Sequence, residues 1–397
     1  MINNPLESLS LAQLQARSSW KWQTYPVDVL PLWVAEMDVP LARPIVEALS
    51  HAAEIGDVGY PTGTRLAEAF AGFAARRWNW TSLDPRQAIV VPDVMNGYAE
   101  ILRVVTGPGD CVIVNPPVYT PFYSYTAHQA RRIVEAPLGA NHRISLDTLD
   151  TAFCIAREGS DRAAYLLSNP HNPTGSVHTV QELTAIVDLA RHHGVTVISD
   201  EIHAPLVYSD SQFTPLLTVP GAEAFFALTS ASKAWNLAGA KAALLVGGAD
   251  ALDALAQVPS WVGRGASHLG VLAQTAAFSH GDEWLDSLLQ GLEANRALLG
   301  ELVAEQLPDV KYIRPEGTYM AWLDCRQVPG GAMPSGTAPA SFSDVVGPAK
   351  LFLDKARVAV SSGHVFGTGG AGFVRLNFGT SRSILTDALT RMGAAVL

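Results

Sequence analysis

The sequence predicts an α/β protein: a three-layer α/β/α body with a mixed, mostly parallel sheet, joined to a smaller α+β lobe. Three observations predict it. From about residue 41 onward, short near-continuous apolar runs alternate with helical patterns, as in strands buried on both faces and joined by crossovers. Past about residue 280 the order changes to one long helical pattern followed by strand-like runs. The 397 residues are 48% apolar and 16% charged, enough for a large core and more than one ordinary domain.

In chain order, Leu41–Gly56 reads as an amphipathic helix opened by prolines and closed by glycine, and Thr64–Trp78 as a second helix. Strand-like runs follow at Ala88–Val91, Cys111–Val114, Arg132–Val134, Ala164–Leu167, Val195–Ser199, Ala224–Leu228 and Ala242–Val246, with a helical stretch at Val180–His192. Glu283–Gln306 is a long helical pattern, followed by runs at Tyr319–Leu323, Val358–Val360 and Phe373–Phe378. The Pro/Gly/Ser/Ala-rich stretch at 328–344 has the composition of a surface loop. The chain therefore divides into an N-terminal segment (1–40) packing with the small lobe, a large body (41–282) and a small C-terminal lobe (283–397).

Composition excludes several classes. Lys plus Arg is 27 and Asp plus Glu is 37, a formal charge of −10, with no dense basic run to bind nucleic acid. Three scattered cysteines without a C-x-x-C form neither a disulfide framework nor a zinc site. No apolar run approaches the roughly 20 residues of a membrane span, and no basic leader opens the chain. The expectation is a soluble cytoplasmic protein without a metal.

Three motifs are decoys. GTGGAG (Gly367–Gly372) fits G-x-G-x-x-G, but a strand pattern follows it where a dinucleotide site needs a helix. Ser230–Lys233 fits S-x-x-K, but its S-D-N and K-T-G partners do not occur. His192 and His193 sit before Gly194, where a helix C-terminus favours histidine.

Four other segments each follow or occupy a strand and present a polar group. SNPHNPTG (Ser168–Gly175) presents Asn172 from a proline- and glycine-fixed turn. SDEIH (Ser199–His203) places Asp200 where a strand stops, and SASKAWNLAGAK (Ser230–Lys241) carries Lys233. FVRLNFGTSR (Phe373–Arg382) embeds Arg375 in a strand. Any one has an ordinary structural explanation, such as a helix cap or a surface charge. All four, in this order at strand ends, point to one ligand site, because open α/β sheets bind ligands there.

Together these blocks resemble the fold type I pyridoxal-phosphate enzymes of the class I/II aminotransferase family, over nearly the whole chain. Within it the chain is most similar to the MalY/PatB-like cystathionine β-lyase branch, through LPLWVAEMDVP, GYPTGT, PPVYTPFY, SDEIHAPLVY and HVFGTGGAGFVRLNFGTSR. Glu36 stands where that branch carries Asp. The resemblance implies an aspartate aminotransferase-like fold and pyridoxal 5'-phosphate as cofactor. By the same resemblance Lys233 holds the cofactor aldehyde and moves the Cα proton. Asp200 pairs with the pyridine nitrogen, Asn172 and His203 lie at the phenolate oxygen, and Tyr119 stacks on the ring. The phosphate falls to the backbone amides of Val94, Met95 and Asn96, with Ser230, Lys241 and Tyr60 of a neighbouring copy. Arg375, with Asn172, Tyr119 and the backbone near Ala35, takes the substrate carboxylate.

The implied partners are a small amino acid and a second copy of the chain. The leading activity is carbon–sulfur β-elimination from cystathionine or a related cysteine S-conjugate, giving a thiol, pyruvate and ammonia. The alternative is transamination with a 2-oxo acid, which uses the same residues. A DNA-binding regulator built on this fold is disfavoured by the charge and by the short segment ahead of the fold.

Overall fold

A computed structural model describes residues 4–158, 160–329 and 344–396, so the 328–344 stretch falls almost wholly outside the described residues. The body is a seven-stranded sheet: β1 (Ala88–Val91), β2 (Cys111–Val114), β3 (Arg132–Glu135), β4 (Ala163–Ser168), β5 (Val195–Asp200), β6 (Phe226–Thr229) and β7 (Ala243–Gly247). The strand order is β1-β7-β6-β5-β4-β2-β3. Only β7 runs against its neighbours, so the sheet is mixed and mostly parallel, as predicted.

Helices cover both faces. They include α1 (Arg43–Ile55), α2 (Arg65–Trp78), α3 (Val94–Val105), α4 (Pro121–His128), α5 (Leu146–Glu158), α6 (Val180–His193), α7 (His268–His280), α8 (Asp282–Gln306) and α9 (Arg382–Val396). The strands are apolar throughout because successive side chains serve two cores. Cys111 and Ile113 of β2, with Tyr165 and Leu167 of β4, enter the core under α5 and α6. Val112, Val114, Ala164 and Leu166 enter the one under α3.

The predicted elements agree with the structure to within two residues. Ala224–Leu228 begins instead at Phe226, because the Phe225 N–H closes a turn on the Ala222 carbonyl. GTGGAG leads directly into a strand, with no helix after it.

The small lobe is an antiparallel sheet of β8 (Lys311–Tyr312), β9 (Met320–Asp324), β10 (Ser361–Ser362) and β11 (Phe373–Asn377), in the order β10-β11-β9-β8. The N-terminal segment joins it: Leu30–Pro31 pairs in parallel with Val358–Ala359, and the Asn377 N–H donates to Leu32 O at 2.9 Å. One apolar core runs from Phe70 and Phe73 of α2 through Phe278 of α7 and Leu292 of α8 to Met320 and Leu376 of the small sheet.

This topology positions the site. The strand registers pair Ser168 with Asp200 and Asp200 with Leu228, so β4, β5 and β6 end side by side. Val91, the last residue of β1, pairs with Ala243, the first of β7, at that same edge. The N-terminus of α3, the Asn172 turn, Asp200 and the turn bearing Lys233 therefore share one end of the sheet. Among the described residues, no helix is long and apolar enough to cross a membrane.

Candidate active site

A cavity of about 360 Å³ opens at that edge. Its lining includes Ala35, Val94, Met95, Tyr119, Asn172, Asp200, His203, Ser230, Lys233, Lys241 and Arg375, bringing together eleven of the thirteen residues expected from the sequence.

Lys233 sits in a turn anchored from below. Trp235, fully buried, packs edge-on against Phe73 and Phe278 with centroids 5.6 and 5.5 Å away. The Lys233 Nζ donates to Ala35 O at 3.0 Å. Burial first, then the positive charges of Arg375 and Lys241, lowers its pKa to about 8, so a minor fraction of the amine is neutral at physiological pH. Asp200 is 6% exposed, and its Oδ1 accepts the Ile202 N–H at 3.1 Å. Burial pushes this carboxyl up to about 6. Among the described residues it has no cation within ion-pair distance.

Arg375 lies mid-strand in β11, between Trp322 of β9 and Ser361 of β10, and is 1% exposed. Its Nη1 donates to Asn172 Oδ1 at 3.0 Å and its Nη2 to Trp33 O at 2.9 Å. Burial lowers its pKa to about 10. Asn172 is held in turn by its own N–H donating to Ser168 Oγ at 3.2 Å. Gly175, at φ +73°, closes the turn where a Cβ would meet Pro315 at 2.4 Å. Tyr119 packs edge-on to Phe122 on the cavity wall, and burial raises its phenol to about 12. His203 is buried, which together with Lys233 and Arg375 holds it well below the ordinary imidazole range and keeps it neutral.

The structure adds four details at the anion end. The Asn96 N–H donates to Asp93 Oδ1 at 2.8 Å, because Asp93 caps α3; Val94 and Met95 line the cavity, whereas Asn96 does not. Lys241 is paired with Asp93 Oδ2 at 3.1 Å and is 57% exposed. The Ser230 hydroxyl lies 2.9 Å from Ala242 O and 3.1 Å from Gln274 Oε1, so it braces the turn. Tyr60 is 82% exposed and lies outside this cavity. Sequence reading also passed over Asp93, Ser232, Gln274, Asn236 and Tyr319. Asp93 carries a legible signal, an Asp three residues ahead of an Asn at the start of a helical run.

Behind the Asn172 turn, His171 and His178 are fully buried, and burial lowers them to about 3 and about 4. The linkage sign follows from these depressed values. Below pH 6.5 the unfolded chain takes up protons that the folded one refuses, so their contribution is complete above pH 6.5 and is lost as pH falls toward 4. Glu201, raised by burial to about 8, acts in the opposite direction. A difference measurement therefore isolates the histidine: the stability gap between wild type and His171→Asn, read by urea unfolding, should narrow steadily from pH 7 to pH 4.5. A gap independent of pH would contradict it. The trio Asp150, Cys154 and His193 has ligand atoms within 4.8 Å of one another; there the His193 Nε2 lies 2.7 Å from Asp150 Oδ1.

A half-buried lysine, a buried carboxylate at a strand end and a buried arginine around one cavity define an enzyme site for a small anionic amine. Residues 28–392 match the model of the aminotransferase class I and II family, and the chain belongs to that family. It is 56% identical over its full length to a Mycobacterium leprae protein named "Putative cystathionine beta-lyase", covering 99% of it. It is 33% identical to cystathionine beta-lyase PatB of Bacillus subtilis, over 93% of both chains. Among solved structures it is similar to a Corynebacterium diphtheriae protein described as a "putative plp-dependent beta-cystathionase", with TM-score 0.88, 33% identity and 98% of each chain covered.

Proposed function

We propose that the chain is a pyridoxal-phosphate-dependent carbon–sulfur β-lyase, cleaving cystathionine or a related cysteine S-conjugate. The observation that carries this reading is the convergence of Lys233, Asp200, Asn172 and Arg375, from four separate segments, on one cavity. Their chemistry fits the cofactor. Asp200 is a buried carboxylate with no cation within ion-pair distance among the described residues, suited to a protonated pyridine nitrogen. Lys233 offers a partly neutral amine for the aldehyde. Val94 and Met95 line the cavity at the N-terminus of α3, where backbone amides suit a phosphate.

Bound pyridoxal phosphate supplies an electron sink for the pair left at the substrate Cα, from which a β-thiolate can depart. The remaining work belongs to the chain. Arg375 takes the substrate carboxylate as a fork, with Asn172 and the Ala35 backbone beside it. That contact turns the Cα–H bond toward Lys233, whose Nζ removes the proton. Asp200 keeps the proton on the pyridine nitrogen, and Tyr119 covers the ring. Neutral His203 and Asn172 serve the phenolate oxygen. Lys241, now paired with Asp93, would supply a cation to the phosphate, and Ser230 would support that cup.

The same reading includes a 1–40 segment, a 41–282 body, a 283–397 lobe, and a homodimer in which Tyr60 reaches the neighbouring copy's phosphate. The exposed apolar run Ile55, Val58 and Tyr60 supports the dimer. A cytoplasmic setting accords with three free cysteines.

The test is product analysis with L-cystathionine and no 2-oxo acid. Thiol and pyruvate should appear in equal amounts over many turnovers. Amino transfer to an added 2-oxo acid, without thiol release, would make the chain a transaminase instead.

A further inference from the structure

The stretch from Trp33 to Asp38 has no regular structure, yet side chains from distant elements hold its carbonyls. Trp33 O accepts from Arg375, and Ala35 O accepts from both Lys233 Nζ and Tyr319 OH, each at 3.0 Å. Met37 is gripped at both its backbone groups by one side chain: its N–H donates to Asn236 Oδ1 at 2.8 Å, and Asn236 Nδ2 donates to Met37 O at 2.9 Å. Asn236 lies three residues after Lys233 in the same turn, where the Leu237 N–H closes on Ser232 O at 2.8 Å. Its φ of +57° is left-handed, a conformation that asparagine tolerates better than most residues.

We propose that Asn236 is a positioning residue for the proton transfer, fixing the offset between the Lys233 amine and the backbone strap on which the substrate carboxylate rests. The inference rests on the lyase reading above and deepens it. Arg375 is held by Asn172 as well as by the Trp33 carbonyl of the strap, so carboxylate binding depends on the Asn236 clamp less than the proton transfer does. The clamp instead ties the strap to the lysine's own turn. With it cut, the two halves of the site relax separately, and the Cα–H bond no longer faces Nζ squarely. A misplacement of about 1 Å can cost on the order of a hundredfold in rate.

The test uses the holoenzyme and a cysteine S-conjugate with hydrogen or deuterium at Cα. Asn236→Gly keeps the left-handed turn free of strain and removes both hydrogen bonds. Its kcat should fall roughly 10- to 100-fold with KM changed no more than about threefold, and the deuterium isotope effect on kcat should rise above that of wild type. Asn236→Asp keeps the turn and the acceptor for the Met37 N–H but loses the donor to Met37 O, and its kcat should fall between the two. It also provides the reading if the glycine variant does not fold. Wild-type kcat and isotope effect in either folded variant would overturn the proposal, leaving Asn236 as a turn former. Loss of cofactor absorbance with kcat and KM failing together would also overturn it, in favour of a structural role. If wild type itself releases no pyruvate, it is the lyase reading that fails.

Discussion

Replacing Lys233 by alanine is expected to abolish multiple turnover, lowering pyruvate release at least about a thousandfold, within the range supplied by general acid–base catalysis alone. Nothing else lining the cavity can stand in. The other lining lysine, Lys241, is 57% exposed and paired with Asp93. The Lys233 amine owes its reactivity to burial beside two positive groups, which lowers its pKa to about 8. Lys233→Arg should not rescue, because a guanidinium stays protonated and cannot take up the Cα proton. Steady-state pyruvate release reports both variants, and near-normal activity in either would contradict the assignment.

Arg375→Ala should act chiefly on binding. Hydrogen bonds to a charged partner contribute about 1.5–3 kcal/mol, so losing the carboxylate fork should raise KM roughly 10- to 100-fold. Arg375 is 1% exposed and also holds Asn172 and Trp33, so kcat should fall as well, by a smaller factor. Arg375→Lys retains the charge without the two-pronged geometry and should lie between alanine and wild type. A KM left unchanged while kcat collapses would remove Arg375 from substrate binding.

Much of this was legible in the sequence because it is local. A strand buried on both faces writes itself as an apolar run, and a ligand-bearing turn follows it directly; Asn172, Asp200 and Lys233 are all of this kind. The 33–38 strap was not legible. Its meaning comes from partners 199 residues away at Asn236 and 342 away at Arg375, and irregular backbone leaves no periodic signal. The anion end was legible only in part for a related reason: the helix start is local, but which amides stay available depends on the side chain that caps it. Asp93 takes the Asn96 N–H and pairs with Lys241, and neither fact follows from the phosphate-binding pattern alone. Tyr60 lies outside this protomer's cavity, since its expected role belongs to an assembled pair.

The central claim is that four segments assemble a cofactor site around Lys233, and borohydride reduction of the holoenzyme followed by peptide mass mapping tests it most directly. The chain has six lysines, of which Lys21 is fully buried in an ion pair with Asp38. The account predicts one reduced pyridoxyl phosphate per chain, on the peptide carrying Lys233, together with permanent loss of pyruvate release. Label on Lys241 or another lysine, or no label on a chain that still releases pyruvate, would contradict it.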